Sequence, residues 1–293
     1  MARLLWRARR SPIRLALLAA VVALPIEHRA AEPRAAPVLV ACAPGYPGTS
    51  AEAQPNMDAL AAAMSEAAGW PKGELSAIYF ETEKAGLERL EKPGAALAMV
   101  PLPFFLEHGQ ALKLTPRLAP VQKGGEASEV WSLVAKKGRV TGPASLEGWQ
   151  LVSLAGFSPR FVRAALSGWG KLPAGVQVVM SGQVLSGLRK AVAGENVALL
   201  LDRAQAAALP TLPFAGELEV VARSPAWPGS LLCTVDKRLP AARWSALGAA
   251  LPGLAKRPEG AAALEGVRLA GFAPVDEAGL GAARRAFAQA AGR

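Results

Sequence analysis

The chain has 293 residues, a formal net charge of +10, two cysteines and two histidines. That length can bury a large core, in one big domain or in two lobes. Residues 1–31 hold six arginines and one glutamate, so residues 32–293 carry only +5; they show no arginine-rich stripe or aromatic-interleaved patch, which argues against nucleic-acid binding.

The chain opens with "MARLLWRARRSPIR", five arginines and no acid, followed by the apolar run "LALLAAVVALP" and the short, small-residue-rich "IEHRAAEPRAAP". This is the layout of a secretory signal peptide over 1–31, cut near Ala30 or Ala31, and it predicts export to the periplasm. The apolar run is short for a membrane span; an uncleaved anchor is the rival reading. "LVAC", Leu39 to Cys42, resembles a lipoprotein box, but Glu27, Arg29, Glu32 and Arg34 separate it from the apolar run. "PVLVACAPG" also reads as a buried first strand closed by a Pro-Gly turn.

Strand-like and helix-like segments then alternate. "PVLVACAP" precedes the alanine-rich "NMDALAAAMSEAAGW", a strong helix former. "LSAIYFET" is a strand, "EKAGLERLEK" a short helix with Leu87 and Leu90 on one face, and "AALAMVPLPFFL" a strand that turns at its prolines. Such a β-α-β-α-β series predicts a mostly parallel sheet covered by helices, with ligands at the carboxyl ends of strands. The candidate loops are 43–50, with Tyr46, Thr49 and Ser50; Glu81–Thr82; and 101–105, with Pro101 and Phe104.

A second series follows. "VWSLVAKKG" and "WQLVSLAG" are strands, and "SPRFVRAALSGWG" is the helix after the second of them. "VQVVMSG" is a strand, "QVLSGLRKAVAG" a helix with Val184, Leu188 and Val192 near one face, and "VALLLD" a strand ending near Asp202. "LEVVARSPAWPGSLLCTV" returns, "AARWSALGAALPGLA" is a helix, and a last helix starts near Glu277. Two α/β series with a return segment predict two lobes and a cleft, with boundaries near Gly124 and Arg223.

The turn "SLAGFSPR" joins a strand to a helix, and the free N–H groups of such a helix start can hold an anion. Gly156 would let a ligand approach the backbone. Ser158 serves either as N-cap before Pro159 or as a ligand donor; Arg160 either faces solvent or meets a ligand anion. Tyr46 and Phe157 are cleft aromatics or packing. Ser181 caps the next helix or touches ligand. Asp202 neutralises a ligand amine, caps the following turn or pairs near Arg203. Trp131, Trp149, Trp169, Trp227 and Trp244 read as core or hinge packing.

Four stretches, "VWSLVAKKGRVTGPASLEGWQLV", "SGQVLSGLRKAVAGENVALLLD", "ARSPAWPGSLLCTVDKRLPAARWSALGAAL" and "LAGFAPVDEAGLGAARRAF", resemble in order and spacing the phosphonate/phosphate-type periplasmic substrate-binding proteins of ABC transporters. The resemblance covers about Val38 to Ala288. It implies an α/β, two-lobed type II periplasmic binding protein fold, with mostly parallel sheets flanked by helices and a two-strand hinge. One lobe would come from 37–123 and 224–293, the other from 124–223. It implies a monomer that captures a small oxyanion-bearing solute and delivers it to an ABC permease, or reports it to a membrane sensor. The cleft loops are poor in serine, threonine and charge, which points instead to a less charged or partly aromatic solute. In an oxidising compartment, that topology would put Cys42 and Cys233 in one lobe and lets them form a disulfide.

An enzyme fits poorly. His108 is the single histidine after residue 31, and no zinc-ligand cluster forms around it. "GFSPR" lacks the second glycine of a nucleophile elbow. No Gly-x-Gly-x-x-Gly or Walker run is present, so no cofactor is expected. An enzyme on the same two-lobed fold would need a carboxylate or Cys42 acting in the cleft.

Overall fold

A computed structural model describes residues 36–46 and 48–290; the leader read in residues 1–31 lies outside them. The chain runs through β1 (Val38–Cys42), α1 (Ser50–Ala67), β2 (Ser76–Phe80), α2 (Glu83–Leu90), β3 (Ala95–Pro101), α3 (Leu102–His108) and β4 (Leu114–Gln122). It then crosses through β5 (Ser128–Glu129) into β6 (Ser132–Lys136), β7 (Gln150–Ser153), α4 (Pro159–Ala165), β8 (Gln177–Met180), α5 (Val184–Val192), β9 (Val197–Leu201), α6 (Arg203–Ala208) and β10 (Leu218–Arg223). The return passes β11 (Trp227–Pro228), β12 (Ser230–Val235), α7 (Ala241–Ala250), α8 (Pro258–Gly266), β13 (Leu269–Ala273) and α9 (Glu277–Ala290).

Two lobes result. One is built on a six-stranded sheet in the order β13-β4-β12-β3-β1-β2, the other on a five-stranded sheet in the order β10-β6-β9-β7-β8. The central strands β1, β3, β7 and β9 pair in parallel with a neighbour, and β4, β6, β10, β12 and β13 add antiparallel pairs. β5 and β11 meet in a short antiparallel ribbon that sets Glu129 opposite Trp227. This ribbon is the pair of crossovers between the sheets.

The strand sequences explain the layering. "VLVAC" and "VALLL" are apolar on both faces, as suits strands covered on both sides. Successive side chains of β1 go to different cores: Leu39 and Ala41 pack with Met57, Leu60 and Met64 of α1, while Val40 and Cys42 pack with Leu90 of α2. The second of these cores continues into the other lobe, taking in Phe161 of α4, Trp131, Trp227, and Leu280 and Phe287 of α9. Trp131 and Trp227 both meet the Phe161 ring edge-on, at centroid distances of 5.4 and 6.0 Å. Full burial of a phenylalanine contributes about 1.5–3 kcal/mol, so Phe161 ties the crossover segments firmly to α4.

The expected Cys42–Cys233 disulfide is not formed; both thiols are free and buried. Sheet order gives the reason, because β3 lies between β1 and β12. Cys233 pairs with Ala98, and Ala98 with Val40, so the cysteines sit two strands apart and out of line. Two strand spacings are about 9.6 Å, beyond the roughly 7 Å that a disulfide can bridge. Burial also pushes the Cys42 thiol up to about 12, which leaves it inert. Cys42 ends a strand held between β2 and β3, and lipidation there would remove the rest of β1 from the middle of the sheet.

Candidate functional site

Each parallel strand hands over to a helix at its carboxyl end, and polar side chains cap four of those helices, α3 and α5 being without a side-chain cap. Thr49 caps α1 in a capping box with Glu52, Thr82 caps α2, Ser158 caps α4, and Asp202 caps α6 in a capping box with Gln205. The loops after β1, β3 and β9 converge, with the β5–β11 ribbon, on a cavity of about 910 Å³. Tyr46, Pro101, Glu129, Trp131, Asp202 and Ser230 are among its walls.

The cavity is spanned by a hydrogen bond. The Tyr46 hydroxyl, from the loop after β1, donates to Asp202 Oδ2 at 3.3 Å. The same loop touches the other lobe at Gly45, whose φ is +80°; a Cβ there would lie 3.1 Å from Met180 Cε, and one on Gly182 would lie 2.9 Å from the Gly45 carbonyl oxygen. The two lobes are therefore in contact along this edge.

Two carboxyl groups sit side by side on the far wall. Asp202 is buried and its Oδ1 accepts the Gln205 N–H at 2.8 Å. Glu129 Oε1 accepts the N–H of Val130 at 3.0 Å and that of Arg203, the residue after Asp202, at 2.7 Å. Burial pushes the Glu129 carboxyl up to about 7; the Arg203 N–H opposes the rise and the Asp202 charge adds to it. Burial also raises Asp202, against the pull of the Gln205 N–H. Of the cations nearby, Lys123 and Arg203 are committed, while the Arg268 guanidinium has no hydrogen bond or ion pair among the described residues. Lys123 pairs with Glu265, and the Arg203 guanidinium lies 3.6 Å from Glu126 and 3.1 Å from the Ser128 carbonyl.

A second cavity of about 430 Å³ opens beside α1 and shares Tyr46, Pro101, Pro120, Gln122, Ser230 and Arg268 with the first. Its remaining lining is mostly apolar, with Ala53, Met57, Tyr79, Met99, Val267 and Leu269.

Of the residues singled out in the sequence, Tyr46, Pro101 and Asp202 line the cleft. The others are engaged elsewhere. Ser50 donates to Glu81 at 2.6 Å, Thr49 and Thr82 are helix caps, and Phe104 is buried against the His108 ring. Ser181 accepts the Gln183 N–H at 3.0 Å. The turn that opens at Leu154 reaches the cleft at Leu154, while Ala155 to Arg160 do not line it. A Cβ on Gly156 would lie 2.5 Å from the β8 backbone, so this glycine serves packing on a strand. Phe157 packs on the core. The Ser158 hydroxyl donates to Glu107 of α3 at 2.6 Å and accepts the Phe161 N–H, and Arg160 donates to the Phe287 carbonyl at 2.8 Å. α3 and α9 cover this helix start and take up its polar groups.

Glu129, Trp131 and Arg268 were missed as site residues. Glu129 has a visible signal, an acid in the crossover "GGEASEVW" two residues before a buried tryptophan. Arg268 has none beyond its place before a short strand. Among the described residues, no group of three or more His, Cys, Asp or Glu is arranged to hold a metal.

No protein family and no curated protein matches the sequence. Solved structures do match the fold. A Xanthomonas citri protein bound to chloride ion superposes with a TM-score of 0.69 at 14% identity, over 88% of this chain and 99% of that one. A binding-protein component of an ABC phosphonate transporter from Pseudomonas aeruginosa gives a TM-score of 0.62 at 13% identity, over 87% of each chain. The fold is that of the type II periplasmic binding proteins. A Prochlorococcus marinus protein in complex with methylphosphonate shares it, with a TM-score of 0.59 at 12% identity over 86% of this chain and 97% of that one. Across the interlobe cleft of this chain, the Tyr46–Asp202 contact joins the two walls.

Proposed function

We propose that this chain is an exported solute-binding protein that captures a small solute between its lobes and hands it to an ABC permease. One lobe would be 37–123 with 224–293 and the other 124–223, behind a signal peptide over 1–31 that directs the protein to the periplasm. The observation that carries the reading is the cleft of about 910 Å³, spanned by Tyr46 and Asp202 and backed by a two-strand ribbon on which the lobes can turn. The fold shared with a phosphonate-transporter component supports it.

The oxyanion expectation fits the walls less well. A buried anion needs convergent donors, and this cleft presents Glu126, Glu129, Asp202 and Glu265 against Lys123 and Arg268. A thermal-shift screen over phosphonates, phosphate, sulfonates, zwitterions and amines tests the reading, since binding to the folded state alone raises apparent stability. The expected result is a stabilising solute recovered unchanged after incubation. Recovery of a converted product would show an enzyme instead.

A further inference from the structure

We infer that the cleft takes an amphipathic cation, with a protonated amine between Glu129 and Asp202 and an apolar body in the chamber beside α1. The inference rests on the solute-binding reading and names the class of solute.

The head group follows from acceptors left unused. A carboxylate offers about four acceptor positions. Glu129 Oε1 takes two N–H groups, while Oε2 has no hydrogen bond among the described residues. Asp202 Oδ2 takes the Tyr46 hydroxyl at a long 3.3 Å. An ammonium brings three donors and one positive charge, which matches these positions. A phosphonate placed there would meet two carboxylates and be repelled unless both were protonated.

The body follows from the second cavity. It joins the first through shared walls, and Met57, Met99 and Tyr79 line it. An apolar cavity of about 150 Å³ accepts benzene, so about 430 Å³ has room for an aryl ring or a short alkyl chain. Methionines adapt to irregular apolar shapes.

Charge coupling gives this inference a signature. Glu129 faces Asp202 and Arg203 from α6 and lies near Glu126 of its own crossover; Tyr46, Lys123, Glu265 and Arg268 complete the charged and titratable lining. Because Glu129 is held partly protonated near neutral pH, an incoming ammonium must expel that proton. Cation affinity should therefore rise with pH up to about 7 and then level. Oxyanion affinity should fall over the same range.

Titration calorimetry on the protein lacking residues 1–31, with phenethylamine, phenylacetate and benzylphosphonate, holds the apolar body constant and varies the head. Phenethylamine should bind at least about tenfold tighter than either anion, a margin of 1.4 kcal/mol. Its affinity should rise between pH 5.5 and 7.5 in the wild type and stay flat in Glu129→Gln, which keeps the Oε1 acceptor. Asp202→Asn, which retains a capping side chain, should weaken phenethylamine about tenfold or more. Ala53→Phe, filling the chamber from α1, should weaken phenethylamine but leave methylamine unchanged. Tighter binding of either anion, or affinity that falls with pH, overturns the inference. If none of the three binds while another solute stabilises the protein, the inference falls and solute capture stands. If no solute of any class binds, solute capture falls as well.

Discussion

Replacing Tyr46 by phenylalanine removes one hydroxyl and leaves the ring. That hydroxyl joins the loop after β1 to the loop after β9, so it acts between lobes and not within either one. A hydrogen bond to a charged group contributes roughly 1.5–3 kcal/mol. At 3.3 Å this one is longer than the usual O–H···O range, so a value below that range, about 1 kcal/mol, is the better expectation. About 1 kcal/mol is a fivefold change in an equilibrium constant. If the contact holds the closed state, Tyr46→Phe should lower the closed population and weaken solute affinity about fivefold by the same amount. The urea midpoint should barely move. Calorimetry with the best solute, small-angle scattering of the free protein and urea unfolding together read these quantities. Asp202→Asn on its own and combined with Tyr46→Phe completes a double-mutant cycle. Strict additivity in the cycle, or a loss of folding stability that accounts for the whole loss of affinity, would refute the latch.

Three further outcomes follow from the same contacts. The folded-state pKa of Glu129 is raised, so its contribution to stability is present below about 4.5 and is lost as pH rises through about 7; urea midpoints should fall over that window, and Glu129→Gln should flatten the fall. Ser158→Ala should cost about 1–2 kcal/mol of unfolding free energy, from the lost cap and the lost bond to Glu107, with solute affinity unchanged. Gly156→Ala puts a Cβ 2.5 Å from the β8 backbone and should cost about 1–3 kcal/mol by overpacking, again read by urea unfolding.

Much of the strand and helix order was legible because the central strands are largely apolar runs and α1, α2, α4 and α6 begin at Thr, Ser or Asp caps. β4 was not, because Pro116 and Pro120 argue against a strand inside a sheet. The sheet accommodates Pro116 beside a break in register, where β12 shifts between Leu232 and Cys233. β13 and α8 were also unread; "LAGFA" is short and holds a glycine with φ of +156°. Among site residues, Tyr46 and Asp202 stood out as polar groups at strand ends. The "AGFSPR" turn misled because local sequence shows an anion-binding helix start equally well whether it is open or covered. Its covering comes from α3 and α9, which are distant in sequence. Glu129 is legible as an acid in the crossover, but its place at the cleft is not, because the pairing of β5 with β11 sets it there.

The central claim is capture of a solute in the interlobe cleft, and calorimetry with a cleft-filling variant tests it most directly. Ala204 lines the cavity on α6 and is exposed, so Ala204→Trp should fill the site without disturbing the core. The account predicts one solute per chain in the wild type and an affinity at least about tenfold lower in Ala204→Trp, with both proteins unfolding at the same urea concentration. Equal affinity in the two proteins would place the solute elsewhere and contradict the account.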